Sequence, residues 1–418
     1  RSFDRGDTWT AISGDLTSDR EQGDVPFGTI TSIAESPKAF GVIWAGTDEG
    51  KVWGTRNGGG TWTDLSKGLA KDRWVTRVVA SSFDEGTVYV SQNGYRNDEF
   101  SPYVFRSTDY GKTWRSLAAG LPNEPVNTVR EDPKAAHLLY VGTDSGVFVS
   151  LDRGATWTAM AGGLPNVPVH DLLVHPREGD LVVATHGRSV YVADAAPLRE
   201  LKEPVRARPL HAFKVKPVKT ARRRGYGDHP WITWRRDDPV ARIAYWSAGN
   251  EPVTLTVKDE NGSVWRQLDG TSNAGMNVVV YDLSADPKLA DEAEKVAREK
   301  ALAKEKKKDE DKDKEKDQDR PADKDKLADE DAEEDEASAD KPDKPDERAD
   351  AGPAKPLDPD LYGKLADPLR AKRERFLAPG KYTIEIVQGI TVEKTTLVIK
   401  AEPERQGFGG DEAAPDRE

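Results

Sequence analysis

The sequence predicts an all-β protein: a partial β-propeller followed by a β-sandwich that contains a long charged insertion. Three observations predict this fold class: an eight-residue motif that occurs four times in the first 157 residues, short β-rich runs separated by Gly and Pro, and a low-complexity acidic stretch late in the chain. A motif that returns at a regular interval of this size indicates a repeat architecture, in which each copy marks one supersecondary unit.

The repeated motif has the consensus Ser/Thr-x-Asp/Asn-x-Gly-x-Thr-Trp, and its copies are called box motifs one to four below. They begin at Ser2, Thr55, Ser107 and Ser150, at intervals of 53, 52 and 43 residues. The third residue can accept hydrogen bonds from nearby backbone amides and hold a tight turn. The Gly supplies a positive φ, and the Trp is an apolar plug whose indole N–H can donate to a loop carbonyl. The residues predicted to be structural in this way are Asp4, Trp9, Asn57, Trp62, Asp109, Trp114, Asp152 and Trp157, and we expect all four Trp side chains to be mostly buried.

The box motif resembles the Asp-box, or bacterial neuraminidase (BNR) repeat, of sialidase-like and sortilin-like β-propellers. The chain also resembles bacterial proteins described as sortilin-like or "glycosyl hydrolase, BNR repeat", over about residues 1–283 and 376–401. Within that range, Ala184–Asp194 is similar to the end of the last blade in those proteins. The resemblance implies a propeller in which each box motif forms the turn between strands three and four of a blade. It implies that the motif holds the blade together and is not a sialic-acid site.

The sequence around the box motifs predicts four-stranded blades at about 29–67, 74–118 and 126–160. A last blade at 167–194 has three predicted strands and no box motif. The chain opens inside a blade, and propellers typically close with four to eight blades. We therefore expect residues 1–194 to be a partial propeller of about four to five blades, with the rest of the propeller upstream.

A second domain is predicted beyond a linker at 195–230. Alternating strands at 231–285 and 376–401, the first of them Trp231–Arg235, resemble the small immunoglobulin-like sandwich of flagellar hook-capping proteins. Between them, residues 286–375 form a charged insertion: residues 291–350 alone carry a net charge of −10, out of −12 for the whole chain. A segment so charged and so poor in aromatic residues is expected to be disordered or at most partly helical, and dispensable to the folded domains, and residues 402–418 are expected to be a disordered tail.

Composition excludes several classes of function. The chain has no Cys, which excludes disulfides, thiol catalysis and thiolate metal sites, and we expect neither a metal nor a cofactor. Outside the insertion the charges nearly balance, which argues against nucleic-acid binding; the basic run at 222–224 is interpreted as a solvated linker. No apolar run approaches the length of a membrane span, so membrane insertion is not expected. We predict a secreted or periplasmic protein whose signal peptide would lie upstream.

Candidate site residues lie in the loops opposite the box turns, because propeller sites are usually built there. Asp48 and Asp144 could form the carboxylate pair of a glycosidase, although Asp is also an ordinary turn former in their Gly-Thr-Asp-x-Gly segments. The polar loop that contains Tyr95 and Arg96 suits sugar stacking or a protein contact. The alternative is a surface loop with no binding role. The other predicted ligand-binding residues are Trp74, His186 and Arg188, the last two of which could equally bond to neighbouring loop carbonyls.

Three functions are compatible with these features. The first is an exported propeller module that binds a glycan or protein and has no complete catalytic site of its own. The second is a glycoside hydrolase, sialidase-like or glucanase-like, with some of its catalytic carboxylates in further blades. The third is an assembly factor for a protein complex.

Overall fold

The computed structural model describes residues 1–17, 28–160, 162–220, 239–300, 302 and 375–401. They belong to two compact units that meet in sequence between residues 208 and 209. The predicted strand at 231–235, residues 303–374 of the insertion and the tail at 402–418 lie outside the described residues. Within the described ranges, no helix combines the length and the apolar character that a membrane span requires.

The first unit consists of four successive antiparallel sheets, each with its strands in sequence order, which is the architecture of propeller blades. Three blades have four strands each, and the last has three strands. Their strands are β1 (Ile30–Glu35), β2 (Ile43–Thr47), β3 (Val52–Thr55) and β4 (Thr63–Asp64) in blade one; β5 (Trp74–Ala80), β6 (Val88–Gly94), β7 (Glu99–Ser107) and β8 (Arg115–Ser116) in blade two; β9 (Val126–Asp132), β10 (Ala135–Thr143), β11 (Val147–Ser150) and β12 (Thr158–Ala159) in blade three; β13 (Val169–Val174), β14 (Asp180–Thr185) and β15 (Val190–Asp194) in blade four.

The first strands of successive blades pack side by side, β1 against β5, β5 against β9 and β9 against β13. The Thr31 hydroxyl donates to the Val75 carbonyl at 2.6 Å across the first of these contacts. The backbones approach so closely that a Cβ at Gly46 would lie 2.3 Å from the Val75 side chain. Glycine is therefore required near the end of β2 by the neighbouring blade.

The space between blades is filled by apolar side chains from both sheets. The core between blades one and two is formed by a buried Trp and six valines: Val42, Trp44, Val52, Val75, Val78, Val88 and Val90. Burial of apolar surface contributes about 25 cal/mol per Å². Because a small isolated sheet is only marginally stable in water, this burial between blades stabilises the array.

The box motifs form the turns between strands three and four, as predicted. In motif three the fourth and fifth residues, Tyr110 and Gly111, have φ values of 64° and 91°, the two successive left-handed residues of a type I′ hairpin. Asp109 accepts from the Thr113 amide at 2.9 Å and the Thr113 hydroxyl at 2.6 Å. Asn57 has the equivalent role in motif two, where its amide nitrogen donates a hydrogen bond to the Thr61 hydroxyl at 3.1 Å.

The Trp of each later box motif bonds to the blade before it. The indole N–H groups of Trp62, Trp114 and Trp157 donate to the carbonyls of Ile12, Leu65 and Leu117 at 2.8, 2.8 and 2.7 Å. In each case the acceptor follows the fourth-strand position of the preceding blade. A tryptophan in one blade therefore clamps the outer edge of the previous one.

The prediction that all four Trp side chains are mostly buried was wrong for Trp9, which is 75% exposed. Trp62, Trp114 and Trp157 are only partly accessible. The clamp lies at the outer rim of the blades, where one face of the indole meets solvent. Trp9 has no preceding blade to pack on among the described residues, and its N–H donates to Gly6 in its own turn at 3.0 Å.

The second unit contains two sheets around one core. One sheet has the order β16-β18-β21, and the other has the order β17-β23-β22-β19-β20. Buried residues of both sheets, among them Ile243, Tyr245, Leu255 and Ile384, form a single apolar cluster. The strands are β16 (Leu210–Ala212), β17 (Val218–Lys219), β18 (Ala241–Ser247), β19 (Val253–Lys258), β20 (Val264–Asp269), β21 (Gly275–Tyr281), β22 (Gly380–Gln388) and β23 (Thr391–Lys400).

The segment expected to be a linker, 195–230, is structured over most of its described part. Helices α1 (Ala196–Glu200) and α2 (Glu203–Arg206) follow blade four, and Arg199 of α1 pairs with the buried Asp132 at 2.8 Å. Strands β16 and β17 belong to the sheets of the second unit. These elements have two to five residues each, too few to show a hydrophobic period in the sequence.

The charged insertion also begins with ordered structure. Residues 287–300 form a helix, α3, in which Ala290 and Ala293 are 0% and 2% exposed. Ala290 belongs to the core of the second unit, and Arg375 pairs with Asp291 of the helix at 2.6 Å. The first turns of the insertion therefore pack against the second unit, so the expectation that residues 286–375 are wholly dispensable was wrong at this end.

We expect Asp109→Ala to destabilise the first unit by about 2 kcal/mol, because the turn loses hydrogen bonds to a charged acceptor. Asp109→Asn should retain most of the stability, since Asn57 performs the same role in motif two. Chemical denaturation followed by Trp fluorescence measures both variants, and Lys112→Ala in the same turn is the control. Equal losses for the Ala and Asn variants would contradict this account.

Asp109 should also make stability depend on pH. Hydrogen bonds from the Thr113 hydroxyl and amide lower the pKa of Asp109 to about 2. Because the folded pKa lies below the unfolded one, the stabilisation is complete above the ordinary carboxyl range and is lost as pH falls toward 2. Between pH 5 and pH 2, Asp109→Asn should lose less stability than the native chain does, as urea titrations at each pH would show.

Replacement of Ala290 by Arg should destabilise the second unit by more than about 2 kcal/mol, because a long charged side chain cannot fit a fully buried site. Glu292→Arg, on the exposed side of the same helix, is the matched control and should change stability little. Thermal unfolding of both variants provides the measurement. An unchanged melting temperature for Ala290→Arg would show that α3 does not pack as described.

Candidate functional site

Loops at one end of the blades form the candidate site, and this end is called the loop face. It contains the connections between strands two and three of each blade and the segments that enter each blade. Hydrogen bonds join the two sets: Gln92 at the end of β6 bonds to Ala70 at 3.0 Å, and the His186 amide donates to the Pro168 carbonyl at 2.9 Å. The box turns lie at the opposite end, where the Tyr110 amide donates to the Gly86 carbonyl at 2.8 Å.

Asp48 is a structural residue of the loop face. Its side chain is buried, with 3% exposure. One carboxylate oxygen accepts from the amides of Gly28 and Thr29 at 3.0 and 3.1 Å, and the other accepts from the Thr29 hydroxyl at 2.7 Å. Both oxygens are thus used to hold the segment that enters blade one. The turn-forming role fits this geometry, and a catalytic role for Asp48 does not.

Asp144 is half-buried and has a different environment from Asp48. One of its oxygens accepts from the Asn127 side chain at 2.8 Å, and Asn127 in turn accepts from Asn93 of blade two at 3.2 Å. In the segment that enters blade three, Glu124 accepts from the Thr143 hydroxyl at 2.8 Å. Polar side chains of blades two and three are therefore connected across the loop face, and Asp144 and Glu124 are both partly accessible carboxylates.

The long loop of blade two is held by an ion pair at its base. Arg73 donates to Glu99 at 3.0 Å, and a Cβ at Gly94 would lie 2.5 Å from the Glu99 carboxylate. Burial acts to raise the pKa of Glu99, but hydrogen bonds from Ser101 and Arg73 outweigh it and lower the pKa to about 2. Glu99 is therefore ionised at neutral pH and cannot donate a proton as a general acid.

The tip of this loop presents aromatic side chains. Tyr95 and Phe100 are 63% and 45% exposed, and their rings meet edge to face with centroids 6.3 Å apart. Arg96 lies over the ring of Trp74, with its guanidinium carbon 3.7 Å from the ring centroid, a cation–π contact. The structure thus brings together three of the predicted ligand-binding residues, Trp74, Tyr95 and Arg96, on blade two.

The other two predicted ligand-binding residues, His186 and Arg188, lie in the strand-two to strand-three loop of blade four and are exposed. The His186 ring packs against His170, with centroids 5.0 Å apart. Its backbone amide is used in the loop, as the alternative interpretation expected, but its side chain is accessible. Searched over the described residues, no group of three or more His, Asp and Glu side chains is placed to hold a metal ion.

The innermost strands carry a charged cluster that was not predicted from the sequence. Arg77 of β5 and Arg130 of β9 both bond to one oxygen of Asp171 of β13, at 2.6 and 3.2 Å. Burial and the nearby charge of Arg77 lower the pKa of Arg130. The cluster joins three consecutive blades. The sequence signal for this cluster was one basic residue near the middle of β5 and another near the middle of β9. The carboxylate that they share belongs to a strand more than forty residues later.

Comparisons with known proteins give limited similarity. No protein-family model matches the chain. A xyloglucanase of Hypocrea jecorina is 27% identical over 133 residues, covering 28% of this chain and 16% of the xyloglucanase. The chain therefore corresponds to less than a fifth of that relative's length.

Among solved structures, the GH74 enzyme of Niastella koreensis matches with 15% identity and a TM-score of 0.34, over 62% of this chain and 39% of that one. YCF48 of Cyanidioschyzon merolae matches with 20% identity and a TM-score of 0.30, over 40% of this chain and 54% of that one. Because these TM-scores are low, the propeller architecture is inferred from the blades described above and not from these similarities.

The different roles of the two aspartates can be separated by mutation. Asp48→Ala should cost about 2–3 kcal/mol, because two backbone amides and a hydroxyl lose a shared acceptor. Asp144→Ala should cost less than about 1 kcal/mol, because one side-chain amide loses its partner in a partly solvated loop. Urea denaturation of both variants tests this, and a larger loss for Asp144→Ala would reverse the assignment.

Proposed function

We propose that the chain is a polysaccharide-binding propeller module whose binding surface is the loop face of blade two. The exposed pair Tyr95 and Phe100 is the observation on which the proposal depends, because sugar rings stack on aromatic faces that are rigid and open to solvent. The loop is held in place by the Arg73–Glu99 ion pair, so the aromatic tip is positioned before any ligand arrives.

Polar groups beside the aromatic tip suit hydroxyl recognition. Arg96 is already held over Trp74, and the Asn93–Asn127–Asp144 chain offers amide and carboxylate groups in the neighbouring loop. A few placed polar groups beside apolar surface are the usual composition of a ligand site. The similarity to a xyloglucanase supports a plant-type polysaccharide as the first ligand to test. A polysaccharide ligand would also place the protein outside the cytoplasm, as the sequence analysis expected.

A second candidate is a glycoside hydrolase, which the same xyloglucanase similarity favours. Hydrolysis needs two carboxyl groups at a separation of about 5–9.5 Å. Asp48 is enclosed by its own hydrogen bonds, whereas Asp144 is a partly accessible carboxylate of the described loop face, so Asp144 is the candidate to test. Two further hypotheses stay open to test. One is that the chain is related to Asp-box and sortilin-like proteins, and the other is that it is an assembly factor for a protein complex.

Tyr95→Ala should weaken binding to xyloglucan at least about tenfold, because loss of one stacking partner costs about 1.4 kcal/mol or more. The matched control is Phe40→Ala, which removes an aromatic side chain of 75% exposure from the opposite end of blade one. Isothermal titration and a glycan array on the native chain and both variants give the affinities. Equal weakening by both variants, or none by Tyr95→Ala, would exclude this binding surface.

The hydrolase alternative is tested on the same samples. We expect no release of reducing sugar from xyloglucan by the native chain. Turnover that is lost in Asp144→Asn, with binding retained, would establish the hydrolase instead. Asp109→Ala, which alters the opposite face, should leave polysaccharide affinity unchanged as long as the protein stays folded.

A further inference from the structure

Two arginines on the first strands of blades two and three share a single carboxylate. Arg77 of β5 and Arg130 of β9 bond to the same oxygen of Asp171, at 2.6 and 3.2 Å. That oxygen also accepts from the Leu172 amide at 2.8 Å. Two positive charges therefore meet one negative charge, and one positive charge of the cluster is left unbalanced.

The other acidic residues of the first strands do not balance this charge. Within the four described first strands, β1, β5, β9 and β13, each acidic side chain other than Asp171 has a partner elsewhere in the unit. These residues and their partners are Glu35 with Arg1, Glu131 with Ser81 and Tyr89, and Asp132 with Arg199. An anion that balances the charge must therefore come from outside these strands.

The two guanidinium groups are held near one another. The Arg130 Nε donates to the Leu172 carbonyl at 2.6 Å, which fixes the orientation of that guanidinium. Burial and the charge of Arg77 lower the pKa of Arg130, so the two cations repel one another. The Arg77 Nε is buried and bonds to no described residue. Because a guanidinium has five N–H donors, the pair has donors left for a further acceptor.

The cluster is also accessible to a small ligand. The side chains of Arg77, Arg130 and Asp171 are 27%, 24% and 48% exposed. Both arginines belong to blades that have a described blade on each side, and both stay partly exposed between those neighbours. The guanidinium groups can therefore be approached from solvent without a change in the packing of the blades.

We propose that Arg77 and Arg130 form a binding site for a phosphate or sulfate group, either as the free ion or as an ester on a larger molecule. The planar N–H groups of arginine suit such oxyanions, and a tetrahedral group offers a separate oxygen to each guanidinium. The unbalanced positive charge attracts the anion. This site differs from the aromatic tip of blade two, and the proposal does not depend on polysaccharide binding.

Asp171 has two opposite effects on this site. Its carboxylate holds the two guanidinium groups together, but its negative charge repels an incoming anion. Asp171→Asn keeps an oxygen acceptor for the arginines and removes the charge. This variant should therefore bind phosphate more tightly than the native chain does, whereas a cluster with only a structural role would bind no phosphate in either form.

Phosphorus NMR titrations of inorganic phosphate and of glucose 6-phosphate test the site on the 418-residue chain at low ionic strength. We expect saturable binding with which sulfate competes. Arg77→Gln and Arg130→Gln should each weaken it at least about tenfold, and Asp171→Asn should tighten it at least about threefold. The matched control is Arg115→Gln, on the exposed outer strand of blade two, which should leave the affinity unchanged.

The two ligands distinguish the two sources of the group. Comparable affinities identify a site for the free ion, and tighter binding of glucose 6-phosphate identifies a site for an ester. If Arg130→Gln lowers the melting temperature, Arg77→Gln decides the outcome. No saturable binding of either ligand, weaker binding by Asp171→Asn, or equal weakening by Arg115→Gln and Arg77→Gln would overturn the proposal.

Discussion

The contact of each box-motif tryptophan with the preceding blade is the interaction on which the first unit depends. Trp62, Trp114 and Trp157 each donate one hydrogen bond to a backbone carbonyl, and Trp114 and Trp157 also pack against an apolar core between blades. The indole can do this only if the turn that presents it is fixed. The hydrogen bonds of the Asp or Asn side chain and the two left-handed residues of the turn provide that rigidity. The hydrogen bonds of the turn, the contact between blades and the burial of the core therefore depend on one another.

This arrangement also explains why the two ends of the blades differ. The box turns use their polar groups internally, so Asp109 and its equivalents have no accessible chemistry to offer. On the loop face, the blade-two loop extends beyond its hydrogen-bonded base and exposes Tyr95 and Phe100. A rigid scaffold with one variable face is the usual division of work between elements and loops. Tyr95 and Arg96 are therefore exposed on the loop face, whereas Asp48 is confined to a structural role.

The sequence by itself determined the box turns, the strands of the blades, most strands of the second unit and the position of the long loop of blade two, because these depend on local turn chemistry and on the alternation of neighbouring residues. It did not determine that Trp9 is exposed, that Asp48 is enclosed by Gly28 and Thr29, or that Arg77 and Arg130 share Asp171. Nor did it reveal the short strands at 210–219 or the burial of Ala290. Each of these depends on residues distant in sequence that meet only when blades or sheets pack, so only the tertiary structure could decide them.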